Sequence, residues 1–526
     1  MNIWIASMEC AGIAEAGGVK DVTFALAKGF SRIGHKVTLF IPAFGCTSYA
    51  RIKNLKKEAV SGVEIPVGNM THFVSYTEGI FAGFGFKVVF VENPIFSNKS
   101  AVYVYTEKDQ KIDPKHIKGK GHEDSLFIDA MFSKAVSEYV KYIPEAKRPD
   151  IMHCQDASCA LIPCYADKNA SSFYEKTKFF VTIHNAGPAY HHDFMNLEQA
   201  AFFSALPYSI LIQAQNGYRV EPFLLSAVYS RLTTVSTFYA EELTDPENDS
   251  CTDGLSTLFF KKKIPVHGIT NGIDYNLYNP MKKHVSLLPY AFSPAKGFLY
   301  GKLLNRRFFL KMCRKFYVAE KKYERYMKGM TRYGWIDDVP DGKGLYLMYH
   351  GRIVMQKGIS VILDSLGRLF ADHPESRIFI VGQGDPNIEE SIKLVTEQYP
   401  GKIVFFNGYN DPVSRLVAAA SDFVFLPSFF EPCCLEDFIA QIYGTIPIAH
   451  ATGGLKKIVD GKSGFLYSIS NADGFLAAVD RAVMAKNDRK NFKKMIAWAA
   501  AYVLKEYSWN SVIQSKYIPL FCADTE

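Results

Sequence analysis

The sequence predicts an α/β protein built on two doubly wound parallel sheets, on three observations. Short apolar runs of strand length alternate with amphipathic segments of helix length, in two separate series. Glycine-bearing turns stand at several run-to-helix junctions. The chain has 526 residues, too many for one hydrophobic core.

The first series opens with "NIWIAS" and a segment that places Val19, Val22, Leu26, Phe30 and Ile33 on one face. "GHKVTLFIP" follows and completes a βαβ unit within about 40 residues. Further strands are expected at 86–92, 150–154, 178–183 and 232–236. The second series holds runs at 345–351, 377–382, 402–406, 422–427 and 446–450, each followed by a helical pattern. The two halves meet near "HGITNGIDYNLYNP" (267–280). Between them, "GKLLNRRFFLKMCRKFYVAEKKYERYMKGMTR" (301–332) carries eleven Lys or Arg against Glu320 and Glu324. We expect it to be a helical connector with mainly solvated charge. Ligands of doubly wound sheets bind at the carboxyl ends of the strands, so the default site is a cleft between the two domains.

Composition narrows the class. Hydrophobic residues make up 48% and charged residues 21%, as in a soluble globular enzyme. The net charge of +7 is modest for this length and calls for no nucleic-acid partner. Ten scattered cysteines show no CxxC pair and no metal-ligand spacing. No apolar stretch reaches the roughly 18 residues of a membrane span. Free thiols and a strand that starts at once lead us to expect a cytoplasmic protein, with no metal spacing among the cysteines and no membrane partner. Oligomeric state is not readable.

Six loops carry candidate chemistry, and a seventh is ambiguous. In "IAEAGGVKDV", Gly17 and Gly18 stand between a strand and a helix, where an anion can approach the backbone, yet Glu15 is an acid. In "HGRIVMQKGIS", Arg352 and Lys357 lie five apart across a strand-to-helix turn, a fork and an ammonium fit to grip a diphosphate. "SFFEPCCLEDF" puts Glu431 at a strand exit before an apolar helix, and "ATGGLKKIVDG" repeats the glycine pattern one strand later. "TIHNAGPAY" and "HCQDAS" place His184 and Asp156 at strand ends. "VGQGD" (381–385) reads equally as a phosphate turn or a structural turn.

Taken together, these stretches resemble the bacterial glycogen synthase and starch synthase family. The most specific pieces are "TIHN", "NGIDYNLYNP", "GRIVMQKG", "GYNDPVSRLVAAASDFVFLPSFFEPCCLEDF" and "YGTIPIAHATGGLKKIVDG". The resemblance implies two Rossmann-like doubly wound domains facing a cleft, the GT-B fold. It divides the chain into 1–272 with a returning C-terminal helix 507–526, and 273–506. It also implies glucose transfer from ADP-glucose, with retention and without a metal, to the non-reducing end of an α-1,4-glucan. ADP-glucose is then a substrate and no cofactor is expected, and the partners are a nucleotide sugar and a glucan polymer.

Carried over by resemblance, Arg352, Lys357, Glu431 and His184 are the catalytic residues. Arg352 and Lys357 hold the donor diphosphate, and Glu431 faces the reacting glucose. Cys433 and the amides near Leu435 lie under the phosphates, with Thr452, Gly453 and Gly454 beside them. Tyr409 stacks on adenine. Asn271, His184, Asp156 and Asp21 line the glucose pocket, and Gly17 and Gly18 form the first-domain loop. Three departures stand out: the family lysine of K-x-G-G is Glu15, H-x-H-D-W is "HCQDA", and Cys434 replaces a glycine. We expect Glu15 to turn toward a sugar hydroxyl or toward Lys20. The rival readings are a UDP-glucose-dependent relative and a non-catalytic glucan-binding protein.

Overall fold

The computed structural model describes residues 1–340 and 342–523. The chain divides into two compact units: Met1–Asn271 with the residues from Val512 onward, and Gly272–Ser511.

The first unit holds a nine-stranded sheet. Its strands are β1 (Asn2–Ala6), β2 (Lys36–Pro42), β3 (Ile52–Val67), β4 (Met70–Phe81), β5 (Lys87–Glu92), β6 (Ile151–Gln155) and β7 (Lys178–Ile183). A separate two-stranded ribbon is formed by β8 (Gln215–Asn216) and β9 (Arg219–Val220), and β10 (Arg231–Thr234) and β11 (Val266–Gly268) complete the large sheet. The order is β11-β10-β7-β6-β1-β2-β5-β4-β3. Every pairing from β11 to β5 is parallel, while β4 and β3 run antiparallel at one edge. That long hairpin is absent from the expected elements. Lys53, Lys56 and Lys57 mask its strand pattern, and charged residues are what an exposed edge strand carries.

The second unit is a seven-stranded sheet. It uses β12 (Met330–Gly334), β13 (Leu345–His350), β14 (Ser376–Gly382), β15 (Ile403–Gly408), β16 (Phe423–Leu426), β17 (Ile446–His450) and β18 (Phe465–Tyr467). Its order is β12-β15-β14-β13-β16-β17-β18, parallel except for β12. Helices cover both faces: Leu345, Leu347 and Tyr349 of β13 join one apolar cluster, and Tyr346 and Met348 join the other. In each sheet the order reverses beside the first parallel strand, between β1 and β6 and between β13 and β16. Loops at such reversal points leave a crevice at the carboxyl ends of the strands.

The basic segment 301–332 departs from expectation. Only Tyr300–Cys313 is a long helix, and the segment ends in β12, which adds antiparallel to β15. Its charge is mainly solvated as expected, with eight of the eleven Lys and Arg exposed, and Lys302 is the exception. Lys302 is buried, with Nζ donating to the carbonyls of Ala418, Ala419 and Tyr443 and to Thr445 Oγ1.

The C-terminal residues Trp509–Cys522 are helical, with wider π turns over Ile513–Tyr517. Phe521 packs on Phe30, Phe180 and His153, and Lys178 Nζ caps the helix end at the Phe521 and Ala523 carbonyls. Phe521 is 2% exposed, so truncating it leaves a cavity in the first unit. Phe521→Ala should cost about 3 kcal/mol in urea unfolding. An unchanged midpoint would show that the returning helix does not hold this unit together.

Candidate functional site

In the second unit the turn after β13 is built against the exit of β16. Gly358 has φ +64°, and a Cβ there would overlap the Pro427 carbonyl oxygen. Glycine meets both demands, and its helix Ile359–Asp372 starts directly on the β16 exit. Phe429 N donates to the Gln356 carbonyl at 2.9 Å, and Gln356 Nε2 donates to the Phe430 carbonyl at 3.0 Å.

This docking brings Lys357 onto Glu431. Lys357 Nζ donates to Glu431 Oε2, which also accepts from Ser428 Oγ at 3.2 Å. Burial works against the Lys357 charge, but Glu431 outweighs it and holds the ammonium protonated beyond the usual lysine range. Arg352 is exposed, and its guanidinium has no ion pair among the described residues. The Arg352 carbonyl accepts from Tyr349 Oη at 2.7 Å, which fixes the backbone that presents it. "VGQGD" is a structural turn: Gly382 and Gly384 press on the backbone of Gly351 and Ile353.

The loops after β16 and β17 lock together. Gly454 N donates to the Glu431 carbonyl at 2.8 Å, and a Cβ at Gly454 would overlap Cys433. Thr452 Oγ1 reaches the Phe429 carbonyl at 3.4 Å, and Gly453 has φ +42°. Beneath them Lys457 is buried, with Nζ donating to the Cys433 and Cys434 carbonyls and pairing with Asp437 at 2.8 Å. Burial pushes the Asp437 carboxyl up to about 6, with Lys457 opposing, so the pair is ionised at neutral pH. Cys434, where the family pattern has glycine, adopts φ +62°. Leu435 leads into the helix Glu436–Ile442. After β15, Tyr409 is 72% exposed and donates to Asp411 Oδ1 at 3.0 Å, so its ring faces solvent.

The first unit answers the question raised by its glycine pair. A carboxyl group does sit there, and it is the protein's own Glu9. Glu9 Oε2 accepts from Ala16 N at 2.9 Å and Gly17 N at 2.6 Å. A Cβ at Gly17 would lie 3.1 Å from Glu9 Oε1, whereas Gly18 borders open space. Glu9 is fully buried, and burial raises its pKa although the two amides and Lys20 pull the other way. Glu15 does not turn toward Lys20. It accepts from Gly12 N at 2.7 Å and closes its own turn, while Lys20 pairs with Asp21 at 2.6 Å. Adjacent residues 20 and 21 make that pair locally, leaving Glu15 to the nearer amide.

At the end of β6, Asp156 has φ +67° and ψ 178°, a region that is essentially glycine-only. Its Oδ1 accepts from His184 N at 3.3 Å. His184 Nε2 lies 2.9 Å from Gln155 Oε1, and burial lowers its pKa to about 4, so the ring is neutral at pH 7. Burial pushes Asp156 up to about 7. Asn271 is buried, with N donating to the Val235 carbonyl and Oδ1 unpartnered among the described residues.

Three residues of this cluster are absent from the expected site: Glu9, Asp129 and His192. His192 Nδ1 lies 2.5 Å from Asp129 Oδ2 and its φ is +52°. Burial opposes its charge, but Asp129 outweighs it and moves the imidazole up to about 9, so it is a cation at pH 7. Glu9 lies in the loop three residues past the end of β1, a position that does signal a site. Asp129 and His192 are 63 residues apart, and no local pattern joins them. Among the described residues no group of three or more His, Cys, Asp or Glu could hold a metal ion, and no helix is long and apolar enough to cross a membrane.

Two parallel α/β sheets, each with its candidate residues at the carboxyl ends around a reversal in strand order, are the layout of the GT-B class of glycosyltransferases. A family model for the starch synthase catalytic domain matches residues 2–258, and one for glycosyl transferases group 1 matches 337–497. A glycogen synthase from Thermodesulfovibrio yellowstonii is 29% identical, covering 99% of this chain and 97% of that protein. One from Flavobacterium johnsoniae is 27% identical over 99% and 98%. The catalytic domain of starch synthase IV from Arabidopsis thaliana shares the fold with a TM-score of 0.76 at 24% identity, over 99% and 98% of the two chains. The chain belongs to the glycogen synthase and starch synthase family of retaining glycosyltransferases.

The raised Asp156 pKa has a stability consequence. The unfolded chain ionises Asp156 near pH 4, whereas the folded chain keeps its proton to about pH 7. The folded state therefore binds more protons across that window, and stability falls as pH rises through it. Asp156→Asn removes this slope. Chemical unfolding at pH 4.5 and pH 7.5 should show the variant gaining on wild type as pH rises. A pH-independent difference would mean Asp156 is ionised in the folded protein.

Proposed function

We propose that the protein extends an α-1,4-glucan by transferring glucose from ADP-glucose to the non-reducing end, with retention of configuration. The observation that carries this reading is the placement of Arg352 and Lys357 on one strand-to-helix turn beside Glu431. Departure of a nucleoside diphosphate leaves charge on the β-phosphate, and two cations on one rigid turn stabilise it as the bond to C1 breaks. Arg352, without an ion pair among the described residues, meets the incoming diphosphate. Lys357 leaves Glu431 for the phosphate, and Glu431 turns its released oxygen to a glucose hydroxyl. The leaving phosphate accepts the proton of the attacking 4-hydroxyl on the face it leaves, which preserves the anomeric configuration.

In the first unit, neutral His184 and Asn271 Oδ1, which is unpartnered among the described residues, are suited to sugar hydroxyls, not phosphate. Asp21, paired with Lys20, and Gly18, open to solvent, take the outer part of the donor. Glu15 bonds its own turn and makes no contact with the diphosphate. The exposed Tyr409 ring supplies a face for adenine. Support for ADP-glucose over UDP-glucose comes from the Arabidopsis starch synthase, whose structure is bound to ADP and acarbose. The cations of the proposed reaction are side chains, so no metal or cofactor enters it, and the cytoplasm is its expected compartment.

Nucleotide release with glycogen as acceptor tests the reading. ADP-glucose should be the better donor, and Arg352→Ala and Lys357→Ala should each lower turnover by about a hundredfold or more. Near-normal turnover in either folded variant rejects the diphosphate role, and preference for UDP-glucose rejects the donor.

A further inference from the structure

At the amino end of the second unit's sheet lies a cavity of about 640 Å³ whose charge the transfer reaction does not use. It opens where β13 and β16 begin, at Leu345 and Asp422. Arg352 follows the other end of β13, six residues or about 20 Å away along the strand.

Among the described residues, five cations line this void against two carboxylates, Glu375 and Asp422. Arg306 and Lys486 share one of them: Arg306 Nη2 lies 2.5 Å from Asp422 Oδ1, and Lys486 Nζ 3.4 Å from Oδ2. Arg306 is further fixed by the Ala420 carbonyl and by stacking over Tyr346 at 4.6 Å. Lys343 and Lys493 have no ion pair among the described residues, and Arg489 reaches only the Gly342 carbonyl at 3.3 Å. A sixth basic group, Lys302, forms part of the wall. Its ammonium meets carbonyls and a hydroxyl but no carboxylate, and burial, with Arg306 adding to it, holds its pKa far below the usual value.

Like charges gathered on one concave surface repel, and the low-dielectric wall strengthens that repulsion. An anion of two or more charges relieves it, and Lys343, Lys493 and Arg489, which have no carboxylate partner among the described residues, are the cations left to meet it. The apolar floor of Leu345, Phe492 and Ile496 leaves room for an organic group, and the volume is that of a small-molecule site. We propose that this cavity binds a small phosphorylated molecule, at a site separate from the one that carries transfer.

Titration calorimetry on the full chain tests this in an Arg352→Ala/Lys357→Ala background, which removes the other diphosphate contacts. The probes are inorganic phosphate, pyrophosphate and glycerol 3-phosphate, which separate free phosphate from its organic esters. We expect saturable one-to-one binding of at least one probe, weakened tenfold or more by adding Lys343→Glu and Lys493→Glu. Both lysines are exposed, and reversing them relieves repulsion, so the thermal midpoint without anion should hold or rise. No saturable binding of any probe overturns the proposal, as does equal affinity with and without the charge reversal. Neither result bears on the role of Arg352, which is absent throughout.

Discussion

The ion pair between Lys357 and Glu431 organises the second unit's carboxyl end. It forms because the turn after β13 sits directly on the β16 exit, an approach that only glycine at position 358 permits. Backbone bonds between Gln356 and Phe429, and from Gln356 Nε2 to Phe430, hold the two strand exits at that spacing. Gly454 then fits the next loop under Cys433, and Lys457 anchors both from below. A largely buried cation is costly alone, and Glu431 holds Lys357 charged in the absence of substrate. The arrangement keeps Lys357 ready for a phosphate without leaving an unpaired charge beneath the turn.

The first unit solves a different problem. Its loops hold acids, Glu9, Asp156 and Asp129, and the cation His192 among them. Glu9 satisfies the amides of the glycine turn internally, so that turn is shaped by the protein before any ligand arrives. Backbone strain at Asp156 and His192 falls within the same cluster, and such strain persists only where the surroundings over-determine it. The charge suited to a diphosphate lies in the second unit, and the neutral groups suited to hydroxyls lie in the first.

Much of this was legible because parallel strands buried on both faces read as continuous apolar runs. The runs at 178–183 and 446–450 coincide with β7 and β17 residue for residue. Loops after such strands carry the candidate site, so Arg352, Lys357, Glu431, His184 and Asp156 could be picked out by position, while the roles expected of them came from the family resemblance. What stayed hidden depends on distant partners. Lys302 reads as one more lysine on a basic helix, since its acceptors come from residues 418–445. The β3–β4 hairpin hid behind lysines, and Glu15 found a partner three residues back that composition cannot reveal. The Asp129–His192 pair joins two loops with no shared motif.

ADP affinity in Glu431→Gln tests the central claim most directly, because the account makes Glu431 the resting partner of Lys357 and places the diphosphate as its replacement. Removing the negative charge should leave ADP binding, measured by calorimetry, as tight as in wild type or tighter, while glucan synthesis is largely lost. A tenfold or greater loss of ADP affinity in the folded variant would contradict the account, for it would mean that Glu431 helps hold the nucleotide and does not compete with it for Lys357.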